Sequence, residues 1–322
     1  MARGKQETDS EQQDMKPSSA SNTAIAGTAM RSSPLQPVQR RSMVVFLLLT
    51  FGGAWILWGY WVFAMSPGGL VISPAFIVCA LAGGLAPSLA AIFVTARIEG
   101  PAALRQLLAG VVQRTEARYV LLALLAVPLA TTLSVFVQLQ AGLELRSPEP
   151  SLLAMALVWP VMAALGEELG WRGFLAARLV PPWGLLPSAL VIGLVWGVWH
   201  LPADYIGLKA YGELFWLIFL VNGPIVLTAH SIIVTWLWRR SGGSTLIALL
   251  YHWSVTASAI VAPASGATDL SGVTSAAIGA GMIWLVAVAL MIVRWSDFTT
   301  SAKDARPMDA SALREGRGSD MW

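Results

Sequence analysis

The chain has 322 residues, 56% of them hydrophobic and only 12% charged, with a mean hydropathy of +0.65. Soluble domains carry about 25% charged residues, so this composition excludes a soluble globular protein and points to an integral membrane one. A net charge of +3 without a basic stripe interleaved with aromatics excludes a nucleic-acid surface, and the single cysteine, Cys79, excludes a disulfide framework or a cysteine-rich metal site.

Residues 1–42 are polar, rich in Ser, Gln, Thr and Pro, and lack apolar periodicity, so a disordered cytoplasmic tail is expected there. They do not read as a signal peptide, because the apolar stretch starts late and runs on into a second span. No charge occurs between Arg41 and Arg97. The punctuation Ser66-Pro67-Gly68-Gly69 divides this stretch into helices near 43–65 and 72–96, each long enough for the roughly 20 residues a bilayer requires. Gly83, Gly84 and Pro87 should kink the second. Across 98–118, Glu99, Arg105, Arg114, Glu116 and Arg118 face Leu104, Leu107, Leu108 and Val111 at helical spacing, the pattern of an amphipathic helix on the membrane surface.

A third span is expected at 119–140, a fourth from Pro150, and others near 184–201, 214–238, 244–262 and 273–293. The expected fold is all-α, a polytopic membrane bundle of about eight transmembrane helices over residues 43–294, followed by a polar cytoplasmic tail at 295–322. Arg40 and Arg41, Arg97 to Arg118, Arg172 and Arg178, Arg239 and Arg240, and Arg294 and Lys303 all fall on one side of such a bundle. That bias predicts a multi-pass protein with both termini in the cytoplasm.

The chemistry concentrates at Gly166-Glu167-Glu168-Leu169-Gly170-Trp171-Arg172-Gly173. No charged residue occurs between Glu149 and this pair of carboxylates, and an ionised side chain at membrane depth costs at least a few kcal/mol. Glu168 and Arg172 are four residues apart and should pair. Glu167 projects about 100° away, leaving it free to point at neighbouring helices as a desolvated general base. The three histidines, His200, His230 and His252, all sit inside or at the end of apolar segments. His252 and Thr256 share a helix face and could address one oxygen atom. A carboxylate, two imidazoles and a hydroxyl suggest water activation and oxyanion stabilisation. The same groups have another use, as ligands for a divalent metal such as zinc. Gly166 with Gly170, and Gly193 with Gly197, are small-xxx-small pairs that should pack their two helices together and bring Glu167 to His200.

The order Glu167-Glu168-x-x-x-Arg172, then Trp196-x-x-x-His200, then His252-x-x-x-Thr256 resembles the CAAX prenyl protease and bacteriocin-processing (CPBP, or Abi) family of intramembrane proteases. The resemblance covers about 150–260. Trp196 stands where the family pattern has Phe, and Thr256 where it usually has Asn. The resemblance implies that Glu167 is the base, that Glu168 and Arg172 support it, that His200 shares the water and that His252 lies in the oxyanion site. It implies a peptide or lipidated protein substrate met among membrane lipids, and no resident cofactor is expected, although the family is often labelled metalloprotease.

Other readings stand beside this one. The buried Glu and His could form the relay of a proton-coupled transporter, although no internal repeat of the kind common in transporters is visible. A non-proteolytic scaffold or immunity protein would use the same residues structurally. The charged cluster could lie solvated at the interface, and His200 and His252 could be interfacial or interhelical hydrogen-bonding residues. His230, which belongs to no motif, reads as packing, as do Trp171 and Trp199.

Overall fold

A computed structural model describes Met1, residues 35–65 and residues 74–299. The expected break at Ser66–Gly69 and most of both tails lie outside these residues. The described residues are helical, with one isolated β-bridge, Arg146 to Ala264, joining two loops.

The first helix, α1 (Pro37–Tyr60), opens on a proline whose missing N–H would have no intrahelical partner in any case. It begins inside the stretch expected to be a disordered tail, six residues before the span start expected at 43 (43 against 37). The anticipated kink is real: α2 (Pro74–Gly84) and α3 (Ala86–Val94), which continues in a π turn to Glu99, meet at a bend of 43°. The surface helix is shorter than expected. It is α4 (Pro101–Val112), because Gly100, at φ 93°, turns the chain just before it. Then come α5 (Ala117–Gln140), α6 (Pro150–Glu168), a π-helical stretch at Leu169–Ala176, and α7 (Ala177–Trp183). The second half holds α8 (Leu185–Trp199), α9 (Leu201–Leu208), α10 (Phe215–Leu220), α11 (Val226–Arg240), α12 (Thr245–Val261), α13 (Leu270–Val293) and the short α14 (Trp295–Thr299).

This is an integral membrane helical bundle. Among the described residues five helical runs are long and apolar enough to cross a bilayer, and the bent α2–α3 pair makes six. The other two of the eight expected spans, α8 and α12, have only 15 and 17 residues and fall short of these six in length, which leaves the count of eight unconfirmed. At 1.5 Å per residue they reach roughly 23 and 26 Å, short of a hydrocarbon core of about 30 Å. Both pack within the bundle, α8 against α11 and α12 against α5, α6 and α11.

The glycine pairs do pack helices closely, but not against each other as expected. A Cβ on Gly166 would lie 2.5 Å from the Gly84 carbonyl oxygen, and one on Gly170 would lie 2.7 Å from the Pro87 oxygen, so this pair seats the α2–α3 bend. Gly193 instead receives Thr228 and Ser231, and Gly197 receives Gly223 and Pro224, so the second pair seats α11 and the turn before it. The shared α2–α3 bend is rigid at Pro87, which makes Gly170 a sensitive position. Gly170→Ala is expected to lower stability by about 1–3 kcal/mol through overpacking. Thermal unfolding in detergent checks this, and an unchanged midpoint would mean that α3 yields.

The segment from Trp295 to Thr299, expected to be unstructured, is α14, with Phe298 buried. Asp297 fastens it, accepting hydrogen bonds from the Trp236 indole at 2.8 Å and from Arg294 at 3.1 Å. Burial pushes the Asp297 carboxyl up, but the Trp236 indole, Arg294 and Arg240 outweigh it and hold the group below its ordinary value.

Candidate active site

The two glutamates close α6, where the helix widens into the π-helical stretch, a local geometry frequent at functional sites. Both are buried, as is Arg172. Arg172 donates from Nη1 to Glu168 Oε1 at 2.9 Å, the pairing expected from their spacing. The same Oε1 lies 2.7 Å from His252 Nδ1 on α12. A carboxylate oxygen only accepts, so His252 is protonated on Nδ1.

Glu167 has a different environment. Its Oε2 accepts from the indole Nε1 of Trp196 at 2.6 Å and of Trp171 at 3.2 Å. Its Oε1 faces the Nε2 atoms of His200 at 4.0 Å and His252 at 3.9 Å. His200 Nδ1 lies 3.0 Å from the Trp196 carbonyl oxygen, which again can only accept, so His200 carries its proton on Nδ1 and presents a lone pair at Nε2 in its neutral form. Three polar atoms from α6, from the residue capping α8 and from α12 therefore surround one small volume.

That volume belongs to a cavity of about 310 Å³ lined by Glu167, His200, His252 and Thr256 together with Trp58, Trp61, Trp159, Cys79 and Met162. Thr256 is thus brought to the site, on the same face as His252. Glu168 and Arg172 stand behind it: Glu168 reaches the cavity through His252, and Arg172 pairs with Glu168 and lies over the Trp196 ring. His230 is elsewhere, buried and sharing a 2.9 Å hydrogen bond with the Tyr251 hydroxyl. Trp199 is fully buried and donates to the Thr50 carbonyl at 3.2 Å, a packing role as expected. Trp171 is fully buried too, but it is not merely packing. Its bond to Glu167 was available from the four-residue spacing, whereas that of Trp196 depends on tertiary approach. Asp204, on α9, was also passed over; it lies within electrostatic reach of His200 and Glu167.

Among the described residues no three His, Cys, Asp or Glu side chains are grouped to hold a metal ion. Glu167 Oε2 is taken by two indoles and each Nδ1 by its own acceptor. Glu167 Oε1 and the two Nε2 atoms are the groups left for the zinc alternative, and the steps below use only the chain's own residues.

Residues 149–258 match the family model described as type II CAAX prenyl endopeptidase Rce1-like. The chain is also 25% identical over 173 residues to a protein of Methanococcus maripaludis named CAAX prenyl protease 2, a match covering 52% of this chain and 59% of that relative. The match therefore spans less than two thirds of the relative's own length. The matched segment contains the helices that bring Glu167, His200, His252 and Thr256 to the cavity, whereas Trp58, Trp61 and Cys79 on its wall lie outside the match.

Proposed function

We propose that this chain, whose residues 149–258 match the type II CAAX prenyl endopeptidase Rce1-like family model, is an intramembrane endopeptidase that hydrolyses a peptide bond near the C-terminus of prenylated, CAAX-like or other membrane-associated proteins. The observation that carries the reading is the convergence of Glu167 Oε1 with His200 Nε2 and His252 Nε2, at 4.0 and 3.9 Å, in one cavity. One water oxygen at hydrogen-bonding distance from all three fits that spacing.

His200 Nε2 accepts a hydrogen bond from one O–H of the water and orients it. Glu167 Oε1 accepts from the other O–H and removes its proton as the oxygen attacks the carbonyl carbon. The carbonyl becomes a tetrahedral oxyanion. Glu168, bonded to Nδ1 of His252, supports a ring protonated on both nitrogens, so that Nε2–H donates to this oxyanion, and the Thr256 hydroxyl adds a second donor. Collapse breaks the C–N bond, and Glu167 returns its proton to the leaving amine. The products are a lipid-bearing peptide with a new carboxylate and a short peptide with a new amine. The basic residues at one side of the bundle support a cytoplasmic position for both termini.

The test is cleavage of a farnesylated peptide ending in Cys-aliphatic-aliphatic-X by the purified protein in ¹⁸O-labelled water. One labelled oxygen should appear in the new carboxylate. Absence of cleavage, together with substrate-dependent proton flux in liposomes, would replace the protease with a transporter. Thr256 supplies a secondary prediction. Thr256→Val should lower kcat on the order of tenfold by removing an oxyanion donor, and Thr256→Asn should restore or exceed the wild-type rate. A Val variant of wild-type activity would remove Thr256 from the site.

A further inference from the structure

We propose that Trp196 and Trp171 are positioning residues that divide the two oxygens of Glu167 between separate tasks, one held by indoles and the other left to face the reacting water. This rests on the hydrolytic role proposed for Glu167. Two N–H donors from different elements, α8 and the π-helical stretch, meet on Oε2 at 2.6 and 3.2 Å, whereas the imidazoles meet on Oε1. An indole N–H donates and never accepts, so neither tryptophan can exchange roles with the histidines. Rotating the carboxylate out of this orientation would break two charge-assisted hydrogen bonds at once. The side chain is thereby fixed with Oε1 toward the cavity.

The tryptophans are themselves immobilised. The Trp196 ring lies 4.8 Å from the Arg172 guanidinium carbon and 5.4 Å from the His252 ring. Trp171 is wedged edge-on against Phe46 at 6.0 Å and Trp199 at 5.8 Å. Both are almost wholly buried, at 2% and 0% exposure, so no solvent competes for their N–H groups. Neither lines the cavity, so neither touches substrate. Their effect must pass through Glu167 and must therefore fall on kcat rather than KM. Phenylalanine at either position retains an aromatic ring and loses only the donor and part of the volume.

The experiment compares wild type with Trp196→Phe, Trp171→Phe, the double variant and Glu167→Gln in detergent micelles. On the farnesylated peptide, each single Trp variant should lower kcat about tenfold, with KM within about twofold. The double variant should lose on the order of a hundredfold. Independently of activity, two indole ¹H resonances, assigned by their loss in the Phe variants, should lie downfield in wild type and move upfield together in Glu167→Gln. Wild-type kcat in Trp196→Phe while Glu167→Gln is inactive would overturn the proposal. So would a change confined to KM, or indole resonances indifferent to residue 167. If wild type cleaves no peptide, the hydrolytic reading fails and the division of tasks fails with it, whereas the indole resonances report separately on the hydrogen bonds.

Discussion

Glu167→Gln is expected to lower kcat for peptide hydrolysis by about three orders of magnitude, in the middle of the range for a general base. The substitution keeps the volume of the side chain and leaves an amide oxygen to accept from Trp171 and Trp196. What it removes is the capacity of the cavity-facing atom to take a proton. Stability should change little, because Glu167 makes no ion pair with Arg172; that role belongs to Glu168. Steady-state rates on the farnesylated peptide, with the thermal midpoint measured in parallel, check both halves. A rate within tenfold of wild type would remove Glu167 as the base. His200 and His252 sharpen the contrast. His200 hydrogen-bonds a backbone carbonyl on its own helix, whereas His252 is bonded to Glu168 across the helix interface. His200→Ala should therefore cost activity with little stability, and His252→Ala should cost both.

Much of the site was legible in the sequence because helical spacing fixes which residues share a face. The pairing of Glu168 with Arg172, the divergence of Glu167, and the common face of His252 and Thr256 all follow from 3.6 residues per turn. Spacing within one helix says nothing about which helices meet. By spacing the glycine pairs point to each other, yet Gly170 meets Pro87 and Gly193 meets Thr228. Small residues announce a close approach without naming the approaching surface. The donors on Glu167 were hidden for a related reason. Tryptophan is abundant here, 15 residues, and a buried indole looks alike in sequence whether its N–H finds a carbonyl, as Trp199 does, or a carboxylate, as Trp196 does. The count of spans depends on more than hydropathy. Hydropathy identifies apolar segments, but α8 and α12 are too short to be assigned as spans on length, and their burial among neighbours is a property of the assembled bundle.

Arg172→Met is expected to destabilise the fold by about 3–5 kcal/mol, the cost of leaving a buried charge without its partner. The guanidinium is wholly enclosed, bonded through one nitrogen to Glu168 and lying over the Trp196 ring. Its Nε and Nη2 atoms, like Glu168 Oε2, have no hydrogen-bond partner among the described residues. The pair is thus less than fully satisfied, and its Coulombic attraction must offset a large desolvation cost. Removing the arginine strands Glu168 with His252 alone. Removing both charges should be less harmful, so Glu168→Gln combined with Arg172→Met is expected to be more stable than Arg172→Met by itself. The difference, obtained from a double-mutant cycle of unfolding in mixed micelles, measures the coupling. Lysine would be a poor replacement, because its ammonium cannot reproduce the planar contact with the Trp196 ring. Additive single-variant effects would mean that the two side chains are held in place by packing and contribute no mutual stabilisation. In the double variant His252 loses its charged acceptor, so activity should stay low even where stability recovers. That separation of fold from rate follows from one carboxylate oxygen serving both Arg172 and His252.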